Sequence, residues 1–296
     1  MTDRDPQHPS HHPKTTALPI PYTSHQNPWI PATMNGSPPS PLSSFLASLT
    51  FYTTIPLAWV GPLTFHRIAR FAPWVGLLLG CSLGLLDQGL AAVGMPPLTR
   101  AALGVAIWVG LTGGLHLDGA MDSADGLAVM APDRRLEVMA DSVTGAFGAM
   151  VAVLILLLKT LAWVELPRGL PGESLWLLAL VAGWGRWAQV VAIARYPYLK
   201  AQGKGAFHKK EFETPWDWLL GLVSLIVIAS LGFLCHGLSL VLVISLTLGG
   251  VVLGLGIPAW FNQQLGGHTG DTYGAVVEWT EALLLCGLTV FSAPGT

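Results

Sequence analysis

The sequence predicts an all-α, polytopic integral membrane protein with about seven transmembrane helices and an N-terminal interfacial helix. Of its 296 residues, 52% are hydrophobic and only 11% are charged, whereas soluble domains carry about 25% charged residues. Apolar runs of roughly 20 residues recur along the chain, and this is the length that crosses a bilayer as a helix. Short polar or glycine- and proline-rich segments separate these runs.

The N-terminal part differs in composition from the rest. Residues 1–43 contain ten of the 22 prolines and four of the nine histidines, without apolar periodicity, which predicts a disordered tail. Residues 44–57 are apolar but too short to span a membrane, so we expect an interfacial helix ended by Pro56. The chain is therefore divided into a tail, 1–43, and a single transmembrane domain, 44–296.

Seven spans follow in the sequence. They are predicted near 73–94, 98–117, 147–166, 174–194, 216–234, 238–258 and 274–291. Seven spans put four polar segments on one side, namely 57–72, 118–146, 195–215 and 259–273. These segments hold nine lysines and arginines, whereas the opposite side holds only Arg100 and Arg168. The excess predicts that the four segments face the cytoplasm across a plasma or inner membrane.

Three charged residues lie within apolar runs. Arg186 is in the middle of the fourth span, where a charge costs at least about 2.5 kcal/mol. We therefore expect its side chain to face the bundle interior and to have a partner there. Asp87 and Lys159 lie nearer the ends of their spans, and we expect both to snorkel to the outer surface. They are assigned no functional role.

The acidic stretch after the second span is the first candidate site. Asp118, Asp122 and Asp125 are spaced i, i+4 and i+7, which puts three carboxylates on one face of a helix. Like charges repel, so stability alone does not explain the pattern, whereas Mg²⁺ shared with substrate phosphates does. All three are predicted metal ligands and catalytic residues. The alternative is a solvated acidic helix end without function.

A basic loop follows the fourth span. Between Arg195 and Lys210, glycines alternate with cations, and Lys200 and Lys204 are the candidates for substrate binding. Backbone N–H groups and ammonium groups together suit a diphosphate. The alternative is a positive anchor that contacts anionic lipid.

Three further residues are candidates, and two of them have two readings each. Asp141 is either the N-cap of the third span or a further acidic member of the site. His268 is a candidate general base because histidine titrates near neutrality, but a lone histidine also serves simply as a hydrogen-bonding residue. Asp271 is a candidate catalytic residue, since the small, flexible residues around its carboxylate suit a ligand with a polar head.

Four motifs in order carry a family resemblance. They are Gly114-Leu115-His116-Leu117-Asp118-Gly119 with Asp122 and Asp125-Gly126-Leu127, Asp141-Ser142 with Gly145, Phe147 and Gly148, Gly185-Arg186-Trp187, and Gly267-His268-Thr269-Gly270-Asp271-Thr272. With these motifs the chain resembles the cobalamin-5′-phosphate synthase, or adenosylcobinamide-GDP ribazoletransferase, family from Phe45 nearly to its end. Ala120-Met121 and Ser123 are mild departures from the family pattern.

The resemblance implies a catalytic membrane domain for the last step of the cobalamin nucleotide loop. The family uses Mg²⁺ to join α-ribazole, or its 5′-phosphate, to adenosylcobinamide-GDP with release of GMP. It further implies substrate-binding roles for His116, Asp141, Arg186, Lys200 and Lys204. Membrane lipid is an expected partner and nucleic acid is not, since no basic face with interleaved aromatics is present. Assembly as a homo-oligomer is left open.

Two other classes remain alternatives. A CDP-alcohol phosphotransferase of lipid synthesis is also an Asp-rich membrane enzyme, but Asp122-Ser123 occupy the positions of Ala-Arg in its signature and the second half is absent. A cation transporter would carry polar groups near the bilayer midplane on broken helices. The acidic residues here are instead predicted at the ends of spans.

Overall fold

The computed structural model describes residues 40–61, 63–200 and 205–292. Lys204 and nearly all of the predicted tail therefore lie outside the described residues. The described elements are α1 (Pro41–Tyr52), α2 (Ala72–Ala92), α3 (Pro97–Leu111), α4 (Leu115–Ala128), α5 (Arg135–Val138), α6 (Ala146–Val164), α7 (Glu173–Arg195), α8 (Ala206–Glu211), α9 (Trp216–His236), α10 (Leu240–Leu265) and α11 (Gly270–Leu288).

The all-α, polytopic architecture is confirmed. Within the described ranges, six helices are long and apolar enough to cross a membrane: α2, α6, α7, α9, α10 and α11. The pair α3 and α4 passes the same test together but is bent by 88°, and it brings the number to seven if it is taken as one broken span. Each long apolar run of the sequence thus corresponds to a helix.

The predicted second span, 98–117, is wrong at its C-terminal end. Helix α3 stops at Leu111, and the chain turns through Gly113 and Gly114, whose φ angles are 61° and 69°. Glycine adopts this left-handed conformation without the penalty that a Cβ would bring. The acidic stretch then forms α4, which runs nearly perpendicular to α3 and confirms the helix predicted for Asp118, Asp122 and Asp125.

The predicted N-terminal helix is also shifted. Helix α1 ends at Tyr52, four residues before Pro56. Its C-cap is Thr53, whose backbone is extended and whose hydroxyl donates a hydrogen bond of 2.6 Å to the Leu49 carbonyl. The helix is therefore closed by a local side-chain hydrogen bond rather than by the proline.

Helix α7 is the central element of the bundle, buried along almost its whole length. Helix α2 packs closely against it through Gly76, Gly80 and Gly84, which are four residues apart and share one face. A Cβ at any of these glycines would overlap backbone atoms of α7. Small residues at such spacing let two membrane helices approach to backbone contact.

The four polar segments predicted on one side meet at one end of the bundle, called here the loop end. Leu199 N–H donates to the His268 carbonyl at 2.8 Å, which joins the segment after α7 to the segment before α11. Arg135 donates to the Gln264 carbonyl at 2.9 Å. Arg67 pairs with Asp217 at the start of α9 at 2.6 Å. The compartment that this end faces stays a prediction.

Buried ion pairs correct the two snorkelling predictions. Lys159 is only 2% exposed, and its ammonium group lies 2.6 Å from both Glu278 and Glu281. Asp87 is likewise buried and accepts a 3.0 Å hydrogen bond from Arg100. Both predictions were wrong because a neighbouring helix supplies an opposite charge, so neither side chain needs to reach the surface.

The predicted interior partner of Arg186 is confirmed as Glu281 of α11. Lys159, Arg186, Glu278 and Glu281, called here the buried charge cluster, therefore join α6, α7 and α11. The four side chains contribute two positive and two negative formal charges, and each charge has an opposite neighbour. Such mutual pairing is what permits ionisable groups inside a membrane bundle.

Candidate active site

The candidate active site lies at the loop end, where α4 crosses α11. Two glycines permit this crossing: a Cβ on Gly119 would lie 2.5 Å from the backbone oxygen of Asp271, and one on Gly274 would lie 2.9 Å from Cα of His116. The close approach brings the acidic face of α4 beside the first turn of α11. Asp118 and Asp271 line one cavity there.

Asp122 lies close enough to Asp118, Asp271 and Lys200 for their charges to act on it. Asp118, Asp122 and Asp271 are called here the acidic cluster. Two of its members were predicted as one helical face, and the structure adds the third from a segment about 150 residues further along the chain. Collecting three carboxylates in one place is unfavourable unless cations or polar ligands compensate the charge.

Lys200 places the basic loop against this cluster. Its ammonium group lies 2.9 Å from the Asp271 carboxylate, which also accepts a 3.1 Å hydrogen bond from the Thr269 hydroxyl. Thr269 and Thr272 form a capping box that fixes the first turn of α11. The cation and the acidic cluster are thus held side by side, as a site for a charged phosphate group requires. Lys204 lies outside the described residues.

Asp125 has a different environment from the other two aspartates of α4. Its carboxylate accepts hydrogen bonds from the N–H groups of Gly145 and Gly148, at 2.7 and 2.8 Å. It therefore satisfies the first amide groups of α6, as a capping side chain does. This geometry does not support a ligand role for Asp125.

Asp141 is not the N-cap of α6, so that alternative is wrong. The cap position is Gly145, and the carboxylate that serves α6 comes from Asp125 on another helix. Asp141 is exposed and accepts a 3.1 Å hydrogen bond from the Val143 N–H group within a local turn. Its substrate-binding role stays a prediction.

His268 is fully buried and both of its ring nitrogens have partners. Nδ1 lies 3.0 Å from the Thr272 hydroxyl and Nε2 lies 3.2 Å from the Pro258 carbonyl. Burial lowers the pKa of His268 to about 4, so the ring is neutral at pH 7. These contacts join the end of α10 to the start of α11, and this geometry argues against His268 as the general base.

Arg186 and His116 are both buried, and the charge of Arg186 acts on His116. Arg186 belongs to the buried charge cluster, and its predicted contact with substrate stays a prediction. His116 lies on α4, two residues before Asp118, and lines the same cavity as Asp118 and Asp271.

Sequence reasoning missed four other residues of that cavity: Tyr52, Gln189, His208 and Tyr273. Gln189 offered a signal, since a polar residue in an apolar span marks a functional position. His208 lies in the basic loop, where only the charges were considered.

The donor set fits Mg²⁺ through two carboxylates rather than through a complete protein cage. Among the described residues, no group of three or more His, Cys, Asp or Glu side chains is arranged to hold a metal ion. Asp118 and Asp122 enter none of the ion pairs formed between described residues. Mg²⁺ usually binds one or two carboxylates together with waters and substrate phosphates, so these two oxygen donors suit it.

A larger cavity, about 580 Å³, lies between α4, α6, α10 and α11. Its walls are almost entirely apolar, and Ser123 is the only hydroxyl-bearing residue among those that line it in the described structure. It offers no charged group for a phosphate or a metal ion. The chemistry therefore belongs to the acidic cluster and not to this larger cavity.

The helical bundle and the acidic cluster together define a polytopic membrane protein with three carboxylates and a lysine collected at one end. Comparison with known protein families identifies the family: the cobalamin-5-phosphate synthase model matches residues 44–289, and the chain belongs to that family. No solved structure matches the chain.

Curated relatives agree with this assignment. The adenosylcobinamide-GDP ribazoletransferase of Trichormus variabilis is 57% identical over 253 residues, covering 85% of this chain and 98% of its own length. Proteins of the same name from a Synechococcus species and from Thermosynechococcus vestitus are each 51% identical; they cover 82% and 84% of this chain, and 95% and 97% of their own lengths. The family resemblance is confirmed, and it takes precedence over the CDP-alcohol phosphotransferase and transporter alternatives.

Proposed function

We propose that this chain is an adenosylcobinamide-GDP ribazoletransferase, which joins α-ribazole or its 5′-phosphate to adenosylcobinamide-GDP. The observation that carries the proposal is the acidic cluster held against Lys200 at the loop end of a chain that belongs to this family. Adjacent carboxylates and a lysine form a site that suits a diphosphate with a bound divalent cation.

The reaction is a displacement at phosphorus. A hydroxyl oxygen of α-ribazole forms a bond to the cobinamide-side phosphorus of the diphosphate, and the bond from that phosphorus to the bridging oxygen breaks. GMP leaves with the bridging oxygen, the hydroxyl proton is released, and the product is adenosylcobalamin or its 5′-phosphate. Lys200, held by Asp271, is positioned to bind phosphate oxygens, and Arg186 and Lys204 are further candidates for phosphate charge.

Asp118 and Asp122 are the residues that would hold Mg²⁺. When bound, Mg²⁺ supplies charge neutralisation for the diphosphate and for the departing GMP. The two carboxylates are one helical turn apart, and the crossing of α4 over α11 fixes their helix beside Asp271. The chain's own contribution is thus to keep the metal ligands and Lys200 in one rigid arrangement.

We further propose that the loop end faces the cytoplasm of a plasma or inner membrane, because nine of the eleven lysines and arginines counted in the connecting segments belong to it. Both substrates would then reach the site from the cytoplasm. Lipid around the bundle is the remaining expected partner.

The test of the proposed function is GMP release by the purified full chain in lipid nanodiscs. We expect release only when adenosylcobinamide-GDP, α-ribazole and Mg²⁺ are all present, with one cobalamin product formed for each GMP. Release of CMP from a CDP-alcohol, or no release of GMP under these conditions, would contradict the proposal.

A further inference from the structure

The cavity beside the acidic cluster has an unusual lining. It measures about 140 Å³ and lies between α1, α4, α7, α8 and α11. Five of the residues that line it are called here the polar pocket: Tyr52, His116, Gln189, His208 and Tyr273. Asp118 and Asp271 also line the cavity, so its contents lie directly against the acidic cluster.

The polar pocket holds seven buried polar atoms without a hydrogen-bond partner among the described residues. They are the hydroxyls of Tyr52 and Tyr273, both ring nitrogens of His116 and of His208, and Oε1 of Gln189. Each of the five side chains is at least nine-tenths buried. Buried polar groups in proteins are nearly always satisfied, so these atoms require a polar partner in the cavity, which is either water or a ligand.

The polar atoms are held in place by packed rings. The Tyr52 ring stacks with His116 at a centroid distance of 6.3 Å and with His208 at 5.9 Å. His208 also packs against Phe51 and Phe207, at 4.9 and 4.0 Å. A fixed lining of this kind is preorganised for its ligand, because little side-chain freedom is lost on binding.

The pocket chemistry matches hydroxyl groups. Tyrosine hydroxyls both donate and accept, and burial lowers the pKa of His208 to about 3, so its neutral ring donates with one nitrogen and accepts with the other. No lysine or arginine is among the described residues that line the cavity, so the lining itself offers neutral hydrogen-bonding groups rather than a cation. The cavity volume of about 140 Å³ is close to that of a protein cavity that holds one benzene molecule, which suits a sugar ring.

The position of the polar pocket indicates which substrate's sugar it binds. The group in the pocket adjoins the acidic cluster, so it lies next to the reacting phosphorus. We propose that the polar pocket binds the ribose of the acceptor, α-ribazole or its 5′-phosphate, and orients the attacking hydroxyl toward the acidic cluster. This proposal rests on the proposed function and adds Tyr52, Gln189, His208 and Tyr273 as substrate-binding residues.

The test uses two variants that each remove a single buried hydroxyl, Tyr52→Phe and Tyr273→Phe. Tyr196→Phe is the matched control, since Tyr196 lies outside the pocket lining. We expect each pocket variant to raise the KM for α-ribazole roughly tenfold, because a site built to bond a hydroxyl depends on its partners. The KM for adenosylcobinamide-GDP and the melting temperature should stay at the parent values, and the control should behave as the parent.

Inhibition by the free base of α-ribazole separates the sugar from the heterocycle. If the pocket binds the ribose, the inhibition constant of the free base is the same in parent and Tyr52→Phe. Weaker inhibition by the free base in the variant than in the parent would overturn the proposal and indicate that the pocket binds the heterocycle. Weaker product inhibition by GMP, with unchanged KM for α-ribazole, would assign the pocket to the donor's ribose, and unchanged constants throughout would assign it to water.

Calorimetric binding of α-ribazole to the full chain keeps this inference separate from the proposed function. If the parent releases no GMP, the proposed function fails. Weaker α-ribazole binding to Tyr52→Phe than to the parent and to Tyr196→Phe would still support the pocket. Equal binding to all three proteins would overturn the pocket proposal even if the parent is fully active.

Discussion

Asp122 is the residue on which the proposed chemistry depends most directly. We expect Asp122→Asn to abolish GMP release without unfolding the protein, because Asn keeps the shape and loses the charge that Mg²⁺ needs. Without metal, the variant should be as stable as the parent or slightly more so, since a like-charge helical pair costs a few tenths of a kcal/mol. Excess Mg²⁺ should reverse this order, because a cation that binds only the folded state stabilises it by mass action.

The measurement is GMP release together with thermal unfolding, with and without Mg²⁺. Asp133→Asn is the matched control, since Asp133 is an exposed aspartate in the turn after α4. Turnover near the parent rate by Asp122→Asn at saturating Mg²⁺ would remove Asp122 from the metal site.

Asp125 should behave differently although it belongs to the same sequence pattern. We expect Asp125→Ala to lower the free energy of unfolding by about 1–3 kcal/mol, because two N–H groups at the start of α6 lose a charged acceptor. Asp125→Asn keeps one acceptor oxygen and should lose less. Thermal unfolding in a mild detergent measures both, with Asp133→Ala as control; parent-like stability of Asp125→Ala would refute the capping role.

At the residue scale, sequence reasoning found the acidic helix face but could not assign its members. Asp122 and Asp125 belong to the same spacing pattern. Only the fold shows that the N–H groups of Gly145 and Gly148 donate hydrogen bonds to the Asp125 carboxylate. His268 is a similar case, because its partner, the Pro258 carbonyl, lies inside α10, on the other side of the turn that precedes α11. Spacing along one helix predicts which side chains share a face, but not what the opposite helix presents.

Among the elements, the packing of α2 on α7 gives a direct test of the fold. We expect Gly80→Leu to lower the free energy of unfolding by at least about 1–3 kcal/mol, because the added side chain would overlap the α7 backbone. Gly89→Leu is the matched control on the same helix, since a Cβ there meets nothing within 4 Å in the described structure. Chemical denaturation in mixed micelles compares the two. Equal stability would mean that α2 and α7 do not pack through the glycine stripe.

The spans themselves were predictable because bilayer thickness sets the length of an apolar helix. The turn between α3 and α4 was not predicted, since two successive glycines in the left-handed conformation can interrupt a helical run without any change in hydropathy. The partners in the ion pairs could not be predicted from the sequence either. Lys159 and Glu278 are 119 residues apart, and no local pattern relates such positions.

For the whole molecule, orientation in the membrane is the main untested property. We expect cysteines introduced at Met130, Lys210 and Gln264, all exposed at the loop end, to react with an impermeant thiol reagent only from the cytoplasmic side. A cysteine at Val93, between α2 and α3 at the other end, should react only from outside. The native cysteines are first replaced by serine.

Two outcomes of the labelling experiment would contradict the proposed topology or the structure. Labelling of Gln264→Cys from outside would invert the proposed topology and would put the acidic cluster out of reach of cytoplasmic substrates. Labelling of Met130→Cys and Gln264→Cys from opposite sides would conflict with the 2.9 Å contact between Arg135 and Gln264 that joins their segments.

The buried charge cluster has a consequence for how the protein is made. Lys159 and Arg186 leave the ribosome 119 and 95 residues, respectively, before the carboxylates at Glu278 and Glu281 that they pair with. Until α11 is synthesised, each cation costs about 2.5–3.5 kcal/mol in the bilayer. Helices α6 and α7 therefore insert without the partners that offset this cost in the folded bundle. Helix α11 supplies the carboxylates that neutralise them, so assembly of the bundle is completed only after α11 has been synthesised.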